Sequence, residues 1–101
     1  DCSDLNIEDY NQNIPFNINK VYPNPFNPIT NIEFATSQSE RISISIYDMN
    51  GKLIEQLINN KLINPGFYNI KWDGFNYASG IYFINITNGL NSKNRKIILQ
   101  K

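Results

Sequence analysis

The chain has 101 residues, enough for one small domain with a single core and not for two. Nine basic and nine acidic residues cancel and no basic run stands out, which argues against nucleic acid or an anionic membrane as the main partner. There is no histidine and a single cysteine, so the commonest general base, the usual zinc ligand, Ser-His and Cys-His devices and an internal disulfide are all ruled out.

Residues 1–13 are acidic and polar, with Leu5, Ile7 and Tyr10 scattered without a clean period, and read as a linker from an upstream cargo domain. Cys2 is the end of an upstream cysteine-containing repeat or a free thiol. No apolar run approaches the length of a membrane span, and a signal for export is expected upstream of this stretch. The domain itself is expected over residues 14–101.

Phe16 and Ile18 alternate with Asn17 and Asn19, a short first strand. Val21-Tyr22-Pro23-Asn24-Pro25-Phe26-Asn27-Pro28 follows, and its three prolines rule out a helix or a central strand. An extended corner of rigid course is expected there, with Tyr22 and Phe26 as apolar pegs. Ile32 and Phe34 then alternate with Asn31 and Glu33, a second strand ending near Thr36. Ile42, Ile44 and Ile46 share one face opposite Ser43, Ser45 and Tyr47, the cleanest period-two run in the chain.

Asn50-Gly51 between two apolar runs is a hairpin signal. Residues 53–58 are the returning strand, although Leu53, Ile54, Leu57 and Ile58 would also suit a helical turn; Asn59-Asn60-Lys61 and Asn64-Pro65-Gly66 punctuate the next connection. Tyr68, Ile70 and Trp72 share a face, and Trp72 is the expected centre of the core. Asp73-Gly74 and Ser79-Gly80 bracket a loop. Residues 81–87 are apolar on both faces and are expected to be covered on both sides. After Asn88-Gly89 the chain closes with Arg95-Lys96-Ile97-Ile98-Leu99-Gln100-Lys101. About seven short strands with turns at this spacing predict an all-β, immunoglobulin-like antiparallel β-sandwich.

No catalytic residue, metal site or cofactor is expected. Asp48 and Asp73 lie beside turn glycines, where backbone geometry favours them, and no second acid or base stands by to complete a pair. Asp73, Asn76 and Ser79 have nonspecific spacing for calcium. Asn85-Ile86-Thr87 is a glycosylation sequon inside a strand, where chance explains it better than use. Phe67, Phe75 and Tyr77 are candidates for a carbohydrate platform. The basic ends of the final apolar run either guard an edge strand against aggregation or mark a terminal address read by strand addition or end capture.

Three signatures in order carry a resemblance. Phe16-Asn17-Ile18 leads into Tyr22-Pro23-Asn24-Pro25-Phe26-Asn27-Pro28; Ile46-Tyr47-Asp48-Met49-Asn50-Gly51 and Trp72-Asp73-Gly74 follow; Ser79-Gly80-Ile81-Tyr82-Phe83 and a lysine-bearing apolar terminus close the set. From about residue 14 to the end, the chain resembles the type A C-terminal sorting domain of the type IX secretion system, found on exported proteins of Bacteroidetes-related bacteria. The resemblance implies an immunoglobulin-like sandwich that directs a cargo, already delivered to the periplasm, across the outer membrane to the surface or medium. It implies an outer-membrane shuttle and translocon as partners, without direct membrane insertion, and a cysteine-protease-like sortase that cuts before Phe16. The matching recognition residues are Pro23, Asn24 and Pro25 in the corner, Gly80 and Tyr82 in the glycine-aromatic motif, and Lys96, Ile97, Ile98, Leu99 and Lys101 at the terminus. On this reading the domain is a substrate, not an enzyme. The alternatives are a non-catalytic accessory sandwich, sugar-binding or spacer, and an assembly module with the flavour of a flagellar hook-cap domain.

Overall fold

In the computed structural model, which describes residues 14–101, seven strands form two antiparallel sheets and the described residues include no helix. The strands are β1 (Phe16–Tyr22), β2 (Ile29–Thr36), β3 (Glu40–Asp48), β4 (Leu53–Ile63), β5 (Gly66–Asp73), β6 (Gly80–Thr87) and β7 (Ser92–Leu99). One sheet has the order β1-β2-β5 and the other β4-β3-β6-β7. The expected linker, residues 1–13, lies outside the described residues.

Alternation builds the core. Ile42, Ile44 and Ile46 of β3 and Ile84 and Ile86 of β6 are fully buried, facing Phe16, Ile18, Ile32, Phe34 and Trp72 of the other sheet. The β-sandwich is as expected. One detail departs from the constant immunoglobulin order, in which the fourth strand joins the first, second and fifth. Here β4 pairs with β3, because the Asn50-Gly51 turn folds it straight back. Asp48 tightens that turn: its Oδ1 accepts the N–H groups of Asn50 and Lys52, both at 2.9 Å.

Two strands run longer than their sequence pattern. β1 continues to Tyr22 through a bulge at Asn19, which shifts the buried set from Phe16 and Ile18 to Val21. Tyr22 is therefore only half-buried, and its hydroxyl donates to Glu33 Oε2 (3.2 Å) rather than serving as an apolar peg. β4 runs unbroken through Asn59-Asn60-Lys61, expected to be a connection. Three register shifts against β3 explain both that error and the helix-like spacing, since each extra residue resets which face the next apolar side chain takes. Asn60 absorbs one of them at φ 49°, a region asparagine tolerates, with its N–H on Ser43 Oγ (2.8 Å) and its carbonyl on Arg41 (3.1 Å).

Trp72 is 1 % exposed and ties the sheets together. Its ring lies 5.5 Å from Phe26, 5.7 Å from Tyr77 and 5.5 Å from Tyr82 (centroids). Its Nε1–H donates to Glu55 Oε1 of β4 at 2.9 Å, so the one polar atom of the indole is satisfied. Trp72→Ala removes this hub and is expected to cost about 3–5 kcal/mol, read from a urea titration. Trp72→Phe keeps most of the apolar volume and is expected to cost clearly less.

Candidate functional site

The three motifs singled out in the sequence meet around the last strand. The corner's three X–Pro bonds, before Pro23, Pro25 and Pro28, are cis. From it, Phe26 forms a parallel bridge to the chain end: its N–H donates to the Ile98 carbonyl (2.9 Å) and its carbonyl accepts the Gln100 N–H (2.9 Å). Asn24 extends the contact by side chain alone. Its Oδ1 accepts the Ile98 N–H at 3.0 Å and its Nδ2 donates to the Lys96 carbonyl at 3.3 Å. The outer edge of β7 is thus closed along its second half by residues more than 70 positions away in sequence.

Strand addition along that half would have to displace this clamp. The first half is screened differently. Arg95, on the inward parity of β7, reaches across to the Ile18 carbonyl of β1 at 2.6 Å. An inward-pointing charge at a sheet edge is a known guard against edge pairing.

The terminal residues divide by parity. Ile97 and Leu99 are buried, 0 % and 1 % exposed, and belong to the core; Lys96 and Ile98 face outward. Lys101 is exposed but anchored: its N–H donates to Ser79 Oγ (3.1 Å), its ammonium donates to the Phe75 carbonyl and lies 5.5 Å from the Phe75 ring centroid. In the corner, Pro23 and Pro25 are exposed, and the Pro23 carbonyl accepts the hydroxyl of the fully buried Thr30 at 2.9 Å. Tyr82 is buried, opposite Ile97, with its hydroxyl donating to the Ala78 carbonyl.

Two glycines shape the site for different reasons. Gly80 opens β6 opposite Leu99 at φ 156°, and a Cβ there would meet nothing within 4 Å, so conformation and not space requires glycine. Gly74 is the reverse: a Cβ would come within 3.1 Å of Leu99 Cδ2 and 3.5 Å of Phe26 Cε2. Gly74 also donates its N–H to the Pro28 carbonyl (2.8 Å), so the Trp72-Asp73-Gly74 motif seats both the corner and the terminus. Sequence reasoning treated Gly74 as a turn residue, weighed Ser79 for calcium and Phe75 for a sugar platform, and read Arg95 as an edge guard or address charge. The actual partners, Lys101 for Ser79 and Phe75 and the Ile18 carbonyl for Arg95, are too distant to leave a local pattern.

Other candidates resolve into structure. Asp73 Oδ1 accepts the Phe75 N–H (2.9 Å) and shapes the loop. The Asn85 amide donates to Asn94 Oδ1 (2.8 Å) across two strands. Phe67 lies near the start of β5 and Phe75 in the loop after its end, while the third platform candidate, Tyr77, packs on the buried Trp72 with ring centroids 5.7 Å apart. Among the described residues, no group of three or more Cys, Asp or Glu side chains is arranged to hold a metal ion.

Burial raises the Tyr77 phenol above 10, aided by the hydrogen bond to Glu55 and that carboxylate's charge; burial raises Tyr82 too, with Asp48 adding to it. A phenol that ionises later in the fold than in the unfolded chain contributes stability below pH 10 that fades as pH rises past it. Thermal melts across that range are therefore expected to show an alkaline loss of stability that is smaller in Tyr77→Phe/Tyr82→Phe. Asn24→Ala removes two exposed hydrogen bonds, each worth about 0.5–1.5 kcal/mol. Amide exchange at Ile98 is expected to quicken in that variant while the central amides of β6 keep their protection.

Among curated proteins and among solved structures, none matches this chain. The family model described as the secretion system C-terminal sorting domain matches residues 20–100, from the last residues of β1 to the end of the clamp. With four fifths of its length matched, corner and terminus included, the chain belongs to that family, the C-terminal sorting signals of type IX secretion.

Proposed function

We propose that this domain is the address by which a cargo, joined upstream, is carried across the outer membrane by the type IX machinery and then parted from it. An outer-membrane shuttle and the translocon read residues 14–101 as a folded unit. A cysteine-protease-like sortase then cuts in the stretch before Phe16, and the cargo is left on the surface or in the medium. The recognition residues are those of the corner, Pro23, Asn24 and Pro25, the Gly80–Tyr82 motif, and the terminus from Lys96 to Lys101.

One observation carries this reading: the corner, the glycine-aromatic turn and the terminus, remote in sequence, converge on one edge of the fold. Their roles differ. Ile97, Leu99 and Tyr82 hold the site from inside, Asn24 and Phe26 hold β7 in place, and Lys96, Ile98 and Lys101 are what a receptor meets.

Deleting the last six residues would remove Ile97 and Leu99 from the core and confuse unfolding with loss of the address. The cleaner test joins the whole chain to a periplasmic reporter in a bacterium with an intact type IX system. The expected result is reporter outside the cell with the domain removed, while the unfused reporter stays in the periplasm. Fused reporter that folds and yet remains periplasmic contradicts the proposal.

A further inference from the structure

Three dipeptides set an amide or carboxyl side chain directly before a glycine nitrogen: Asn50-Gly51, Asp73-Gly74 and Asn88-Gly89. Glycine has no side chain to shield that nitrogen, so it can approach the Cγ of the residue before it. With asparagine the group displaced is ammonia, with aspartate it is water. The fold treats the three sites differently.

At Asn88 the side chain is held at both ends. Its Oδ1 accepts the N–H groups of Leu90 (2.9 Å) and Asn91 (2.8 Å), and its Nδ2 donates to Glu40 Oε1 (3.1 Å). The Gly89 N–H donates to Thr87 Oγ1 at 3.0 Å. Asp73 is anchored through Oδ1 on the Phe75 N–H, and Gly74 is buried with its N–H on the Pro28 carbonyl. Asn50 is unlike both. It is exposed, and among the described residues only its backbone N–H is engaged, on Asp48 Oδ1. The Gly51 N–H meets the Asp48 carbonyl at 3.0 Å, one bond at the tip of a hairpin. Gly51 has φ 83°, and a Cβ there would meet nothing within 4 Å. The turn demands glycine, and the glycine leaves the nitrogen unshielded. Asn50 also borders a shallow recess with Ser79, Gly80 and Ile81. Residues 81–87 were expected to be covered on both faces, yet Ile81 is half-exposed, so water reaches Asn50 from this side too.

We propose that Asn50-Gly51 is a self-modification site of the folded domain, where Asn50 becomes a mixture of aspartate and isoaspartate while Asn88 and Asp73 stay unchanged. The Gly51 nitrogen gives up its proton and attacks Asn50 Cγ. The new C–N bond closes a five-membered succinimide, and the side-chain amide leaves with that proton as ammonia. Water then opens the ring at either carbonyl. Opening at Cγ leaves aspartate; opening at the backbone carbonyl routes the chain through the side chain and adds one methylene to the turn. One water enters and one ammonia leaves, with no change of oxidation state. Either product puts a second carboxylate into a turn that Asp48 Oδ1 holds by the N–H groups of residues 50 and 52. Isoaspartate also moves those N–H groups out of register with Asp48 and loosens the start of β4.

The test incubates the folded 101-residue chain in mildly alkaline buffer, and a second sample in guanidinium, and follows both by peptide mass spectrometry that tells isoaspartate from aspartate. In guanidinium the two Asn-Gly pairs are expected to convert at similar rates. In the folded chain Asn50 is expected to convert about tenfold faster than Asn88 or more, because three side-chain hydrogen bonds must open first at Asn88. Asn88 converting as fast as Asn50 in the folded chain overturns the proposal. So does Asn50 that stays intact there while the unfolded chain converts it. Asn50→Asp carries the new charge without the added methylene. Aged chain rich in isoaspartate is expected to unfold at a lower guanidinium concentration than this variant, and equal midpoints overturn the loosening of β4.

Discussion

Between the proline corner and the last strand run four hydrogen bonds, two from the Phe26 backbone and two from the Asn24 side chain, all at 2.9–3.3 Å. They settle a problem that any sandwich ending on an edge strand must meet. A terminal strand offers its outer N–H and C=O groups to whatever strand arrives, and in transit that invites aggregation. Here the outer groups of Ile98 and the N–H of Gln100, with the carbonyl of Lys96, are taken up by Asn24 and Phe26 of the corner. The proline segment suits this duty because its rigid course presents Asn24 and Phe26 to β7 without becoming a strand open to further pairing.

The clamp works because the ground beneath it is stiff. Phe26 packs on Trp72, and Leu99 fits over Gly74, whose missing side chain leaves room for both. Trp72 in turn rests on Tyr77 and Tyr82 and is fixed to β4 by Glu55. Both sheets, the corner and the loop after β5 therefore share one aromatic cluster. Among the described residues no buried side-chain polar atom lacks a hydrogen-bond partner, so this junction carries no unpaired group that would favour opening it. Core and clamp are one structure, and an unfolded domain would not form the clamp.

Much of this was legible from residues alone. Ile42, Ile44 and Ile46 announce β3 by strict alternation, Asn50-Gly51 announces the hairpin, and the prolines exclude helix and central strand from the corner. Where the reading failed, the cause was local and physical. Each bulge in β4 shifts the phase of its apolar residues, and three in succession imitate a helical period. The bulge at Asn19 hid the second half of β1. The site was harder, since the role of Asn24 depends on backbone atoms more than 70 residues away, and that of Gly74 on the bulk of Leu99. Neither leaves a trace within a strand-length window. The division of the terminus into buried Ile97 and Leu99 and outward Lys96 and Ile98 follows from period two, but only once the facing sheet is known.

The account stands on the terminus being part of the fold. Nuclear Overhauser contacts in the 101-residue chain in solution address this most directly. A clamped terminus gives cross-strand contacts from Phe26 to Ile98 and Gln100, with the Gln100 amide protected from exchange. A terminus with random-coil shifts from Ile98 onward and no contact to the corner contradicts the account at its root.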